Sequence, residues 1–358
     1  MRAAIMRNSK IVVDDIQPPT PGPGEVLVKT LACGICGSDL HALKHGDNLV
    51  KKTPGDDGLF DMDLSRDIVM GHEFCAEILD YGPNTQGKLA VGSRVCAMPI
   101  LAKPGKIETL GYSNSAPGGF AQQMILSEAL MIPVPNGLSA DLAALTEPMA
   151  VGYHTVEMAK LQGNEAPLVI GCGPVGLAVI TALKLKGVGP IIAADFSPTR
   201  RKLAEQVGAD IVVDPAANSP YKSWADLAVI DSSDLPDNPF SLGPQYRQGV
   251  FFECVGVPGV IDLMMAGAQR GCRIVVVGLC MEADQIKPYR AIAKEINLQF
   301  VLAYQPDEFA ATLLNIAEGK VNAEPLITGK IDLDGVANAF KELADPEKHA
   351  KILVDPWR

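Results

Sequence analysis

Cys36-Gly37-Ser38-Asp39-Leu40-His41 places a thiol, a hydroxyl, a carboxylate and an imidazole in one short stretch. Further along, Gly71-His72-Glu73 adds a second imidazole and another carboxylate. Thiolate, imidazole and carboxylate are the donors that hold zinc. The middle of the chain carries Gly171-Cys172-Gly173-Pro174-Val175-Gly176, a glycine turn of the kind that receives a dinucleotide pyrophosphate. A metal that polarises an oxygen and a cofactor that accepts a hydride are the two parts needed to oxidise an alcohol.

A glycine pattern alone says little, and its surroundings decide. Leu168-Val169-Ile170 reads as a short buried strand before the turn, and Val175 to Leu185 is apolar at helical spacing after it. Gly171 permits the tight turn, Gly173 lets the backbone approach the pyrophosphate, and Gly176 lets helix and strand pack closely. The helix N-terminus offers unpaired N–H groups to the phosphates. Pro174, in its first turn, forfeits no helical hydrogen bond. Asp195 follows the next strand, about twenty residues on, where it can accept hydrogen bonds from the ribose hydroxyls. A carboxylate there repels a 2′-phosphate and favours NAD over NADP. Arg200 beside it reads as a contact to the ribose or a phosphate edge. The bland alternative is a glycine turn that binds nothing; strand, helix and acid at their proper spacing argue against it.

These groups need elements to hold them. Residues 1 to about 150 read as mostly β: Glu25-Val26-Leu27-Val28-Lys29 alternates as a half-buried strand does. Val91 to Val95 is a turn leading into a strand, and Gly118-Gly119-Phe120-Ala121 is a tight turn entering another. Residues 42–70 lack periodicity and read as a long surface loop. From Ala166 the rhythm becomes strand, helix, strand: Ile191–Ala194, a helix over Pro198–Val207, Ile211–Val213, Phe251–Cys254 and Arg273–Val277. Solid apolar strands alternating with helices imply a parallel sheet covered on both faces. The polar stretch 215–249 reads as an extended connection. A helix at Pro306–Glu318, Ile327-Thr328, a helix at Leu333–Leu343 and a last strand, Lys351–Val354, close the chain.

With 358 residues, 47% of them hydrophobic and 20% charged, the chain is long enough for two domains and is not disordered in composition. A net charge of -11 argues against nucleic acid or an anionic membrane surface as partner. No signal peptide and no apolar run of membrane-spanning length is read. Eight scattered cysteines do not form a secreted disulfide pattern, so a reducing cytoplasm is expected.

Cys-Gly-Ser-Asp-x-His, Gly-His-Glu, Gly-Gly-Phe-Ala, Thr-Glu-Pro and Gly-x-Gly-Pro-Val-Gly, in this order, resemble the zinc-dependent medium-chain alcohol dehydrogenases, above all their polyol, butanediol and threonine dehydrogenase branch. The likeness runs over nearly the whole chain. It implies an α/β fold: a Rossmann doubly wound parallel-sheet domain at 150–302, which binds NAD, inserted in a mostly-β GroES-like catalytic domain formed by 1–149 and 303–358. It implies that Cys36 and His72 are zinc ligands and that Glu147, before Pro148, is the third, with Glu73 as the rival. Asp39 matches the carboxylate that orients His72. Gly37, Val277, Gly278, Leu279 and Ala303 match positions that contact the cofactor. The four-cysteine lobe that holds a structural zinc in many relatives is missing, which predicts one catalytic zinc per subunit. A homodimer or homotetramer is the expected assembly.

The resemblance also implies a proton route: Ser38 takes the alcohol proton, and the nicotinamide ribose hydroxyl and His41 pass it to solvent. A small alcohol or carbonyl compound is the expected substrate, whether secondary alcohol, polyol or amino alcohol. The pocket is expected near 42–70, 98–115 and 279–304. Bland readings stand beside these. Cys33 and Cys36 have the C-x-x-C spacing of a redox pair, but without a thioredoxin-like context Cys33 reads as a packed small hydrophobe. His41 could be a surface histidine, and Glu73 and Glu77 solvated strand residues. His45, His154 and His349 carry no motif. Rival functions are a nicotinamide-recycling dismutase with tightly held NAD, a zinc-free quinone or enone reductase, and a non-catalytic NAD-binding protein.

Overall fold

In the computed structural model, which describes residues 1–50, 58–103, 105–231 and 244–358, the alternating segment at Glu25 forms the strand Glu25–Gly34. It lies inside a seven-stranded sheet. Glu73–Tyr81 runs antiparallel to it with Glu73 opposite Gly34. Lys351–Val354 runs antiparallel on the other side with Leu353 opposite Gly34. The end of one strand and the starts of two others therefore meet at Gly34. Cys36, His72, Glu73 and Lys351 are neighbours because of that register, although more than three hundred positions of chain separate the first from the last. Ile327–Ile331, Arg94–Ala97, Met131–Pro133 and Gln123–Ser127 complete the sheet. These elements belong to the unit formed by Met1–Pro148 and Pro306–Arg358.

The loop expected over 42–70 begins as a helix. Gly37–Leu49 is helical, with a kink at His45 (φ −129°, ψ 28°). Ala42, Gly46 and Leu49 form its buried side, and Gly46 lies where a Cβ would come 3.1 Å from Leu64. Helical spacing is hidden because the buried positions include Asp39 and Gly46, so no apolar stripe repeats along the segment. Residues 51–57 lie outside the described part. From Leu59 the chain returns along the helix end, with the Leu59 and Phe60 amides donating to Leu49 O.

Gly71 has φ +100°, and a Cβ there would lie 2.8 Å from Phe120 N. This close approach lets the Gly118-Gly119-Phe120 turn bond the segment before His72: Gly118, Gly119 and Phe120 donate to Val69, Gly71 and Met70 carbonyls at 2.7–3.0 Å. Cys33 is fully buried beside these glycines.

The second unit, Met149–Gln305, holds a six-stranded sheet. Its order is Ile211–Val213, Ile192–Ala194, Ala166–Ile170, Gly249–Glu253, Arg273–Val276 and Asn297–Phe300, and every neighbouring pair is parallel. Strand order reverses beside Ala166–Ile170, the position where doubly wound sheets bind ligands at the carboxyl ends of their strands. The connection expected over 215–249 also contains a helix, Pro220–Ala228, capped by Ser219. Trp224 from this helix is fully buried, donates its Nε1–H to Ala166 O at 2.8 Å and meets Phe251 edge-on at 5.2 Å. Tyr221, Trp224, Ala225 and Ala228 have helical spacing, but the flanking Asp, Ser and Pro residues outweigh it in a reading by composition. Residues 232–243 lie outside the described part. No helix among the described residues is long and apolar enough to cross a membrane.

Candidate functional site

Ligand atoms of Cys36, His72 and Glu73 lie within 4.8 Å of one another, the one such group of His, Cys, Asp and Glu among the described residues. His72 is 7% exposed and Glu73 fully buried, so Glu73 is not the solvated strand residue of the bland reading. Glu147 lies outside this group, in the first turn of the helix Thr146–Met158. It is near enough to Lys351 to favour that residue's charge.

Asp39 organises the first half of the site. Its Oδ2 accepts Cys36 N–H at 3.0 Å, capping the helix that carries Ser38 and His41. Its Oδ1 lies 3.5 Å from His72 Nδ1. That is an ion-pair distance, longer than a well-formed hydrogen bond, and Nδ1 has no other partner. With Nδ1 turned to Asp39, the other ring nitrogen is left for Cys36. Burial opposes a charge on His72, but the Asp39 and Cys36 side chains overcome it and hold its pKa well above the usual histidine range. Electrostatically the pocket calls for a cation among its donors. A half-buried thiol beside a buried imidazole and a buried carboxylate fits zinc.

Lys351 was not foreseen. Its ammonium donates to both Glu73 oxygens at 2.6 and 2.7 Å and to Ile35 O at 3.0 Å, and the residue is 1% exposed. Burial alone would lower its pKa; Glu73, then Cys36, raise it above the ordinary lysine value. The signal was a cation opening an otherwise apolar strand, Lys351-Ile352-Leu353-Val354.

Tyr112 was missed as well. It is 3% exposed, and its hydroxyl meets Ser38 Oγ at 2.8 Å and Asp39 Oδ1 at 3.1 Å. Its ring stacks on Phe60 at 4.1 Å and tilts against His72 at 5.2 Å. Ser38 and His41 are three residues apart on one helix and so share a face. His41 is half-buried; burial, then His45 and Lys44, lower its pKa, so it stays neutral below the usual histidine midpoint. His45 is exposed, while His154 is buried. His349 Nδ1 lies 3.2 Å from Thr328 Oγ1.

The second unit presents the glycine turn. Gly171 has φ +94°, and a Cβ on Gly176 would lie 1.8 Å from Gly171 O, so both positions require glycine. A Cβ on Gly173 would meet nothing nearer than the Arg200 guanidinium at 3.8 Å, which leaves an open cradle with a cation at its rim. Arg200 Nε is buried without a partner. Pro174 and Val175 open the helix Pro174–Leu185. Asp195 is held by the Cys172 and Ser197 amides, each at 2.8 Å. The cradle, its cation and the fixed acid fit a dinucleotide. Val277 and Gly278 amides donate to Glu253 O, a Cβ on Gly256 would lie 2.8 Å from Leu279 N, and Ala303 has φ 58°. Gly37 is exposed, with nothing within 4 Å of a Cβ.

Residues 22–136 match the family described as the alcohol dehydrogenase GroES-like domain, and residues 174–318 match the zinc-binding dehydrogenase family. The (R,R)-butanediol dehydrogenase of Bacillus subtilis (strain 168) is 33% identical over 366 residues, covering 99% of this chain and all of that one. The crystal structure of 2R,3R-butanediol dehydrogenase from Bacillus subtilis superposes with a TM-score of 0.81 at 31% identity, covering 99% of both chains. A structure from Sinorhizobium meliloti 1021, described as a zinc-binding dehydrogenase bound to NADP, superposes with a TM-score of 0.80 at 25% identity, again over 99% of both chains.

Proposed function

This chain belongs to the zinc-type medium-chain alcohol dehydrogenases, and on that footing we propose that it oxidises a secondary alcohol of a small diol or polyol with NAD. It is an oxidoreductase that acts on alcohols with a nicotinamide cofactor. The observation that carries the reading is the meeting of Cys36 with the buried His72 and Glu73 at the sheet register around Gly34.

Cys36, His72 and Glu147 would hold the zinc. Glu73 stands closer to the first two, but both of its oxygens serve Lys351. Taking Glu73 away would leave a buried ammonium short of its counter-charge, a costly state. Bound zinc would supply a Lewis acid that polarises the substrate oxygen. Asp39 orients His72. Ser38 accepts the substrate hydroxyl proton, and His41, held neutral, receives it for release to water. Gly37 lies at the start of the helix that carries both groups. NAD, the hydride acceptor, would lie with its pyrophosphate on Gly171, Gly173 and the start of the helix at Pro174, Val175 and Gly176. Asp195 would accept the ribose hydroxyls, and its charge disfavours a 2′-phosphate; Arg200 would meet a phosphate edge. Val277, Gly278, Leu279 and Ala303 would contact the nicotinamide half.

Eight free thiols suit a reducing cytoplasm. The sheet-edge strand Asn297–Phe300, with Phe300 and Leu302 exposed, supports a homodimer or homotetramer. The test is a panel of alcohols, diols and polyols with NAD and with NADP, following absorbance of the reduced cofactor, with and without chelator. Chelator-sensitive oxidation of diols or polyols with preference for NAD is expected. Turnover that chelation leaves intact, or preference for NADP, would contradict the proposal.

A further inference from the structure

The Tyr112 hydroxyl has one proton and two neighbours, Ser38 Oγ at 2.8 Å and Asp39 Oδ1 at 3.1 Å. A carboxylate can only accept. Both bonds are donated by the phenol, whose single O–H is shared between Ser38 Oγ and Asp39 Oδ1. A serine hydroxyl that accepts such a bond is fixed in orientation and keeps its own proton for a further partner. Ser38 is thus held, before any substrate enters, with one lone pair on the phenol and its own proton free to be passed toward His41 as it takes the substrate's. Stacking on Phe60, with the ring planes 8° apart, and contact with His72 fix the phenol in this position.

We propose that Tyr112 is a positioning residue that orients Ser38 for the relay, in which Ser38 takes the substrate proton while giving up its own, and that steadies Asp39 beside His72. The inference rests on the proposed function, in which Ser38 takes the substrate proton. It adds a residue that neither the motifs nor the metal donors contain. Two of the stretches without readable motif, the one holding Phe60 and the one holding Tyr112, thereby acquire a common task.

Tyr112→Phe keeps the ring and removes both hydrogen bonds. With an alcohol that the wild type oxidises, kcat should fall about 10- to 100-fold while KM stays nearly constant. In a Ser38→Ala background the same substitution should cost nothing more in kcat. A fall confined to KM, or a fall of equal size in the Ser38→Ala background, would show a packing or substrate-contact role and overturn the proposal. Zinc affinity of the purified protein, measured against a chelating indicator, should weaken up to about tenfold in Tyr112→Phe, because Asp39 loses a donor. Wild type that oxidises no alcohol with either nicotinamide would defeat the proposed function. The affinity measurement then decides on Tyr112 by itself, and unchanged zinc binding would overturn its role.

Discussion

At the scale of single residues, the site couples two buried charge systems through the ends of strands. Lys351 and Glu73 are both fully enclosed, so either one alone would be an uncompensated ion in a dry setting. Lys351→Met should therefore lower stability by about 3–5 kcal/mol, checked by urea denaturation of the zinc-loaded protein. A loss within experimental error would mean that Glu73 finds another partner. The same pairing argues that Glu147→Gln abolishes zinc retention after gel filtration while Glu73→Gln keeps the metal and loses stability; the reverse pattern would assign the ligand to Glu73. His41 makes a separate prediction. Its pKa is lowered, so its neutral, proton-accepting form persists below the usual midpoint near 6.5, and activity should fall only as pH drops beneath that value. His41→Gln should remove this acidic limb and slow turnover on the order of tenfold, less than for a group that takes the proton directly, with partial rescue by imidazole. An unchanged pH profile would remove His41 from the route.

At the scale of elements, two short pieces hold the active-site segments in place. The hairpin Ile100–Lys103 and Lys106–Thr109 leads directly into Tyr112 and is tied by Glu108. Glu108 is 4% exposed and is bound by Lys103, Lys106, Ser113 and Ser115. Burial would raise its pKa, but Lys103, Ser115 and Lys106 bring it down to about 2. A depressed carboxyl pKa stabilises the fold above the unfolded value, near 4.5, and that contribution is lost as pH falls from there toward 2. The urea midpoint of the wild type should fall more steeply than that of Glu108→Gln between these limits; parallel slopes would refute the assignment. The helix Pro220–Ala228 is anchored by Trp224, and Trp224→Ala should cost about 3–5 kcal/mol. Neither piece was apparent in the sequence. Their turn-forming and polar residues dominate the composition, and the partners that make them ordered are distant in the chain, as Ala166 is for Trp224.

For the whole chain, what was legible followed from local order. The strand-turn-helix at Gly171–Gly176, the helix Pro198–Val207 and the spacing of Cys36, Ser38, Asp39 and His41 all carry their meaning within one or two elements. Tyr112 and Lys351 carry theirs only after the sheet is assembled. Nothing near Tyr112 announces that it will reach Ser38, and Lys351 meets Glu73 because Leu353 and Glu73 both stand opposite Gly34. The central claim is that a metal held by Cys36 and His72 enables a nicotinamide-dependent alcohol oxidation. Its most direct test is zinc content per chain, by elemental analysis of purified wild type and of Cys36→Ser, each assayed for NAD reduction in the same sample. One zinc per wild-type chain, with metal and activity lost together in Cys36→Ser, is the predicted result. Full NAD-linked activity in a Cys36→Ser protein that holds no zinc would contradict it.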